Sequence, residues 1–171
     1  MSHYKTFHRV CPAVLYKVEV YINSVDELII REMKHKDVPR VLEIERLLFG
    51  TPWSEDSFLN EIYKKYAISR VAVIDENIVG YICANYITHE AHILNLAVHQ
   101  DFQRRSIATM LMNEALKELK KKGCVFIYLE VRASNTGARE FYELFGFEVI
   151  DVRKKYYINP KEDALVMMGR L

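Results

Sequence analysis

A chain of 171 residues, half of them hydrophobic, suits one domain with a real core, and its formal charge of +1 gives no electrostatic ground for nucleic acid as a partner. The three cysteines, Cys11, Cys83 and Cys124, are odd in number and widely spaced, which argues against a disulfide framework or a zinc ribbon and fits a reduced, cytoplasmic setting. No apolar run approaches the ~20 residues that cross a bilayer, and Lys17 and Glu19 interrupt the Val14 to Ile22 stretch that a signal peptide would keep apolar.

Residues 1–25 read as an N-terminal extension in which Val14 to Ile22 partly alternates, as an added edge strand or packing arm would. Residues 26–171 read as a single domain without internal repeats. Leu28 to Arg31 is its first core strand. Asp37 then caps a helix with Val38, Val41, Leu42, Ile44 and Leu48 on the apolar side. Gly50 ends that helix, Pro52 turns the chain, and Ser54 caps a second helix carrying Ser57, Phe58, Leu59 and Ile62. Ile68 to Ile74 and Ile78 to Ile87 form a hairpin about Asp75, Glu76 and Asn77, and Thr88, His89 and Glu90 make the next loop.

Ala91 to Val98 (AHILNLAV) has the content of a buried strand, and the helix after it holds Ile107, Met110, Leu111, Ala115 and Leu119 on one face. Its first turn is expected to carry Gln103, Arg104, Arg105, Ser106 and Ala108. A helix start leaves backbone N–H groups without partners and holds partial positive charge. With two arginines added, the stretch makes a receptacle for an anion such as a pyrophosphate. Lys120, Lys121, Lys122 and Gly123 close the helix in the ordinary way. Val125 to Val131 is a further strand, and Ser134 or Asn135 opens a helix with Ala138, Phe141, Tyr142 and Leu144 that terminates at Gly146. Phe147 to Val152 and Ala164 to Met168 are two closing strands.

Glu130 stands in a predominantly apolar strand, where a carboxylate is costly unless paired or functional. Two readings are open: an ion pair at a strand end, or a general base. His89 and His92 lie three apart at a loop-to-strand junction, whereas the helical zinc motif needs histidines four apart, so no metal site is expected. None of the cysteines has a supporting histidine and acid in its sequence context.

Gln103-Arg104-Arg105-Ser106-Ile107-Ala108 resembles the acyl-CoA motif Q/R-x-x-G-x-G/A of the GNAT N-acetyltransferase superfamily, with Ser106 in place of the first glycine. Glu130-Val131-Arg132-Ala133-Ser134-Asn135, followed by Phe141-Tyr142-Glu143-Leu144-Phe145-Gly146-Phe147, resembles the E-V-R-x-S-N…L-Y-x-x-L-G-F signature of one branch. That branch holds the ribosomal-protein alanine N-acetyltransferases and the archaeal protein N-terminal acetyltransferases. Lys155-Tyr156-Tyr157 and Glu162-Asp163-Ala164 resemble its Y-Y…E-D-A segment, and Phe49 to Ser54 its loop between the first two helices. The resemblance covers Leu28 to Leu171.

It implies an α/β fold, a mixed twisted sheet of about seven strands with four helices, splayed between the fourth and fifth strands. It implies acetyl-CoA as co-substrate and no metal, with direct attack by the amine in a ternary complex. The cofactor is expected on the backbone of Leu96, Ala97 and Val98, on Gln103, Arg104, Arg105, Ser106, Ile107, Ala108 and Thr109, and on Asn135 and Tyr142. Glu130 matches the family base, Tyr142 the residue that protonates the leaving thiolate, and His92 a histidine that assists the base in some archaeal members. His92 is equally readable as an edge or core histidine. Phe49, Pro52, Trp53, Tyr156 and Tyr157 match residues lining the peptide groove, although Trp53 also reads as cover for the core and the two tyrosines as packing in a loop. The implied partners are free protein N-termini, ribosomal or more various, with no membrane or direct nucleic-acid contact, for a monomer or weak homodimer. Two alternatives stay open: acetylation of lysine or a small-molecule amine, and a non-catalytic acyl-CoA-binding module suggested by Ser106.

Overall fold

Seven strands and four α-helices make up residues 28–171, the part described by this computed structural model. The extension expected over residues 1–25, with its candidate strand, lies outside the described residues. In chain order the elements are β1 (Ile29–Glu32), α1 (Val38–Leu48), α2 (Glu55–Tyr63), β2 (Ala67–Ile74), β3 (Asn77–Ile87) and β4 (Glu90–Val98). They continue as α3 (Ile107–Lys121), β5 (Phe126–Arg132), α4 (Thr136–Glu143), β6 (Glu148–Tyr157) and β7 (Glu162–Arg170). One sheet joins the strands in the order β1-β2-β3-β4-β5-β7-β6, with β4 and β5 parallel and the other neighbours antiparallel. The last strand thus inserts between β5 and β6.

Local chemistry explains most boundaries. The β2–β3 hairpin turns through Asp75 and Glu76, both at positive φ, which matches the right-handed twist of the flanking strands. Ser54 caps α2 by accepting the Ser57 N–H, and Asn135 caps α4 by accepting the Ala138 N–H. Asp37 corrects its expected role. It stands at the N-cap of α1, but its carboxylate turns back to the Lys34 N–H and the Arg31 guanidinium. Helix α1 ends at Leu48, two residues before Gly50, and Glu45 joins its buried face.

Apolar clusters cover both faces of the sheet. Helices α1 and α2 pack Val41, Ile44 and Phe58 against Met33, Val71 and Tyr81. Helix α3 packs Leu111, Met112, Ala115 and Leu119 against Ile82, Ile127, Leu129 and Met167. Each large aliphatic side chain removed from water contributes about 1.5–3 kcal/mol. Met110 is not part of that face, being 40% exposed, while Met112 is fully buried. Leu144, expected on the apolar side of α4, lies just beyond the helix and is 68% exposed.

The sheet opens at one place. β4 and β5 pair only through Glu90 with Phe126, Ala91 with Ile127 and His92 with Tyr128. Directly beyond, the register of β4 on β3 slips: Ile93 faces Ala84 and Asn95 faces Cys83, leaving Leu94 without a partner. Such a bulge bends a strand, and here it turns β4 away from β5. The remaining length of β4 stays on β3, where Gly80 permits the close approach: a Cβ there would lie 2.9 Å from the Ala97 carbonyl oxygen.

Candidate active site

One wall of the opening is the free side of Leu96, Ala97 and Val98, whose other side pairs with Ile82, Tyr81 and Gly80. The chain then makes a 3-10 turn over Gln100–Phe102 and reaches α3 at Ile107. Gln103, Arg104, Arg105 and Ser106 therefore form a loop before the helix, which corrects their expected place in its first turn. Gln103 ties this loop back by donating Nε2 to the Val98 carbonyl oxygen at 3.0 Å. Arg104 and Ser106 both adopt left-handed backbone, with φ of 62° and 60°. Left-handed geometry is what the motif's glycine would take without strain, and Ser106 takes it despite its Cβ. Ser106 puts no side-chain cap on α3, so the first-turn N–H groups, Ile107, Ala108 and Thr109 among them, remain for an external acceptor. Arg104 and Arg105 are exposed, and Arg105 rests over the Phe102 ring at 5.1 Å. Uncapped N–H groups beside two guanidiniums suit a diphosphate, and the parted edge of β4 suits an amide-bearing arm. The residues present fit coenzyme A.

The other wall is β5. Ile127, Leu129 and Val131 are buried on one face, so Tyr128, Glu130 and Arg132 share the other. His92 stacks on Tyr128, with centroids 5.3 Å apart, and makes no hydrogen bond to Glu130. Glu130 instead pairs with Arg153 of β6 at 3.0 Å. Arg132 lies over the Tyr157 ring at 4.1 Å, and its guanidinium donates to the Asn159 and Pro160 carbonyl oxygens and to Glu162.

Tyr156 and Tyr157 belong to β6, not to a loop as expected, and they end it in a T-shaped pair. Between Arg153 and Tyr157 the register on β7 shifts, with Lys155 at a φ of 54°. Asp163 secures this irregularity by accepting the Lys155 N–H and the Lys154 ammonium, each at 2.8 Å. Lys154 and the Lys155 N–H hold the Asp163 carboxyl below its ordinary range. Glu162 is likewise lowered, by the Ser134 side chain first, then by the Ser134 N–H and by Arg132.

Tyr142, on α4, packs its ring on Phe147 and Phe141. Burial pushes its phenol above the ordinary value, and nearby Tyr157 adds to the rise. Tyr157 is raised in turn, by burial first, with Arg132 opposing and Tyr156 and Glu130 adding. Asn135 spends its side-chain oxygen on the Ala138 N–H, which leaves its amide nitrogen for a ligand.

Trp53 covers the core, as one of its two readings had it. Its ring packs on Phe58 at 5.2 Å, and with Asn60, Asn85 and Leu94 it lines a cavity of about 470 Å³ between α2 and the bulged strand. Phe49 is 38% exposed and does not line that cavity. Burial pushes the Cys83 thiol up to about 12, which removes it as a nucleophile. Among the described residues no group of three or more His, Cys, Asp or Glu side chains is gathered to hold a metal, and no helix is long and apolar enough to cross a membrane.

Sequence reasoning missed Arg153, Arg132 and Glu45. Arg132 stood inside a quoted motif without a role. Arg153 carried no signal, because its ion pair spans strands that only the sheet order brings close. Glu45 lies between Glu43 and Arg46 and looks like part of a solvated face, yet it is 1% exposed.

Comparison with known proteins agrees with this geometry. Residues 38–147 match the model of the acetyltransferase (GNAT) family. The [ribosomal protein bS18]-alanine N-acetyltransferase of Salmonella typhimurium is 35% identical over 133 residues, covering 77% of this chain and 89% of that protein. The crystal structure of the ribosomal-protein-S18-alanine N-acetyltransferase from Escherichia coli superposes with a TM-score of 0.78 at 29% identity, over 84% of this chain and 94% of the other. That of Ard1 from Thermoplasma volcanium gives 0.77 at 26% identity, over 84% and 97%. Parted strands and an uncapped left-handed loop thus sit in a chain that belongs to the GNAT acetyltransferase family, in the branch of the ribosomal-protein alanine N-acetyltransferases.

Proposed function

We propose that this protein is an N-α-acetyltransferase that uses acetyl-CoA to acetylate the free α-amine of protein N-termini, ribosomal or more various. The observation that carries this reading is the parting of β4 from β5 just past His92 and Tyr128, with Glu130 next on the same face of β5. In this reading Leu96, Ala97 and Val98 receive the amide arm, and the loop from Gln103 to Thr109 receives the phosphates. Acetyl-CoA supplies a thioester whose acyl carbon bonds to the amine nitrogen while its carbon–sulfur bond breaks. Glu130 takes the proton that the amine sheds, directly or through a water. Tyr142 gives its proton to the departing sulfur, and burial, which raises the phenol above its ordinary value, keeps that proton in place until the thiolate forms. Tyr156, Tyr157, Phe49, Pro52 and Trp53 enclose the peptide end, and Asn135 offers its amide to the cofactor. His92 stays a secondary participant, since its ring is committed to Tyr128.

A protein α-amine has pKa about 7.7–8.0 against about 10.4 for lysine, so a carboxylate can prepare it more easily near neutral pH. We place the protein in the cytoplasm, where acetyl-CoA and new N-termini meet, as one catalytic domain over residues 26–171 acting as a monomer or weak homodimer without a metal.

Turnover of acetyl-CoA against a peptide panel tests the reading, followed by thiol release and mass spectrometry. The panel holds free N-termini beginning with Met, Ser, Ala, Glu and Leu, and an N-blocked lysine peptide. Acetylation confined to α-amines is expected. Acetylation of the blocked peptide alone moves the protein to lysine chemistry, and binding without turnover makes it an acyl-CoA-binding module.

A further inference from the structure

Glu45 is a carboxylate in the middle of an apolar cluster that includes Ile44, Phe58, Tyr81 and Ala97. Ionised groups are tolerated there only when their oxygens are satisfied. Both oxygens are. Oε1 accepts the Trp53 backbone N–H at 2.9 Å and Asn95 Nδ2 at 3.2 Å. Oε2 accepts the Tyr81 hydroxyl and Asn95 Nδ2, the latter at 3.2 Å.

These donors come from three separate places. Trp53 belongs to the loop between α1 and α2, which follows Pro52, a residue with no N–H to offer. Tyr81 is on β3. Asn95 follows the unpaired Leu94, at the point where β4 bends away from β5. One buried carboxylate therefore joins the Trp53 loop to the strand that borders the opening.

We infer that Glu45 is a positioning residue for the acceptor peptide: it sets the distance between the Trp53 wall and the bulge of β4, and so the fit of the peptide end against the thioester site. This rests on the reading that the loop over residues 49–53 forms one wall of the peptide groove. Glu45 touches neither substrate, and its effect passes through Trp53 and Asn95. A hydrogen bond to an ionised acceptor is stronger than a neutral one, and it fixes direction as well as distance. A glutamine at this position removes the charge that strengthens every one of these bonds and sets an N–H₂ group against Asn95 Nδ2 or the Trp53 N–H, so the links to loop and strand weaken.

The test is Glu45→Gln in the full chain, with steady-state kinetics for each substrate. KM for an acceptor peptide rises about tenfold, as displacing a positioned group by a fraction of an ångström does, while KM for acetyl-CoA stays within about twofold. Trp53 is the single tryptophan of the chain, so its emission reports the loop directly and shifts to the red as the wall loosens. Tyr81→Phe removes a bond to the same carboxylate without touching the loop, and it leaves both KM values within about twofold. Should Glu45→Gln fail to fold, Asn95→Leu cuts the link from the strand side and raises peptide KM several-fold. Equal losses of melting temperature in Glu45→Gln and Tyr81→Phe, with peptide KM unchanged, overturn the inference and leave Glu45 a core residue. If the wild type acetylates no peptide at all, the proposed function fails instead. The emission of Trp53 then still decides, and an unchanged spectrum in Glu45→Gln overturns the anchor.

Discussion

Arg153 holds its guanidinium 3.0 Å from the Glu130 carboxylate, reaching across β7, and rests on the Tyr156 ring at 5.5 Å. Of the two readings that the sequence left open for Glu130, the ion pair is present, and the role of base belongs to the proposed function. The pair is partly exposed, with 51% and 24% of the two side chains open to solvent, so it contributes little to stability. Its effect is to hold the carboxylate toward β6. Glu130→Gln is expected to keep acetyl-CoA binding and lose about 10²-fold or more in kcat, the usual size of a general-base contribution. The loss is steepest at lower pH, where more of the amine is protonated. Turnover that stays at the wild-type level across the pH range assigns the proton to another acceptor.

Tyr142→Phe removes the proposed acid while leaving the ring on Phe147. A drop of about 10²-fold in kcat with unchanged KM for both substrates is expected. Because burial raises the phenol, Tyr142 stays protonated through the range near pH ~10 where an exposed tyrosine ionises, and kcat shows no alkaline loss from this group there. The sign for stability follows. A phenol whose folded value lies above its unfolded one contributes fully below pH ~10 and loses that contribution as pH rises through the folded value. The stability difference between wild type and Tyr142→Phe therefore shrinks above pH ~10, which paired thermal melts measure.

Ser106 carries left-handed backbone at φ 60° and ψ 12° at the head of α3. Ser106→Gly relieves that geometry, and the relief outweighs the extra freedom gained by the unfolded chain. A gain of about 0.5–1 kcal/mol is expected, read as about 2–3 °C in melting temperature, with acetyl-CoA binding equal or tighter. Ser106→Val goes the opposite way on both measures. A glycine variant that binds acetyl-CoA more weakly would mean that the serine hydroxyl itself contacts the phosphates.

Asp163→Ala releases the Lys155 N–H and the Lys154 ammonium together, and with them the shape of the strand end that presents Tyr156 and Tyr157. Peptide KM is expected to rise several-fold with acetyl-CoA binding unchanged, as isothermal titration and initial rates can separate. The carboxyl is held below its ordinary range, so the pin is present at neutral pH and is lost as pH falls through the depressed folded value.

The E-V-R and Y-Y…E-D-A strings were legible as strings, and the structure supplies their physical content. Arg132 clamps the β6–β7 turn and supports Tyr157, Glu162 holds Arg132 and the Ser134 N–H, and Asp163 fixes the irregularity beside the tyrosines. Charged side chains in a connecting segment ordinarily read as solvated, and nothing local distinguishes those that grip a backbone. The loop before α3 was misplaced for a related reason. Gln103, Arg104 and Arg105 are tolerated in a first helical turn, and a serine does not announce left-handed backbone as a glycine would.

What the sequence determined by itself is whatever depends on neighbours along the chain. The period of two in β5, the apolar stripe of α3, the Ser54 cap and the hairpin at Asp75 and Glu76 are such features, because backbone geometry and side-chain spacing decide them within a few residues. What only the tertiary structure decided is which distant groups share a space. The insertion of β7 between β5 and β6 lets Arg153 reach Glu130, and the bulge at Leu94 brings Asn95 to the carboxylate that also holds Trp53. These contacts join residues many positions apart, and they exist only because sheet order and burial gather groups whose own surroundings in the chain carry no mark of it.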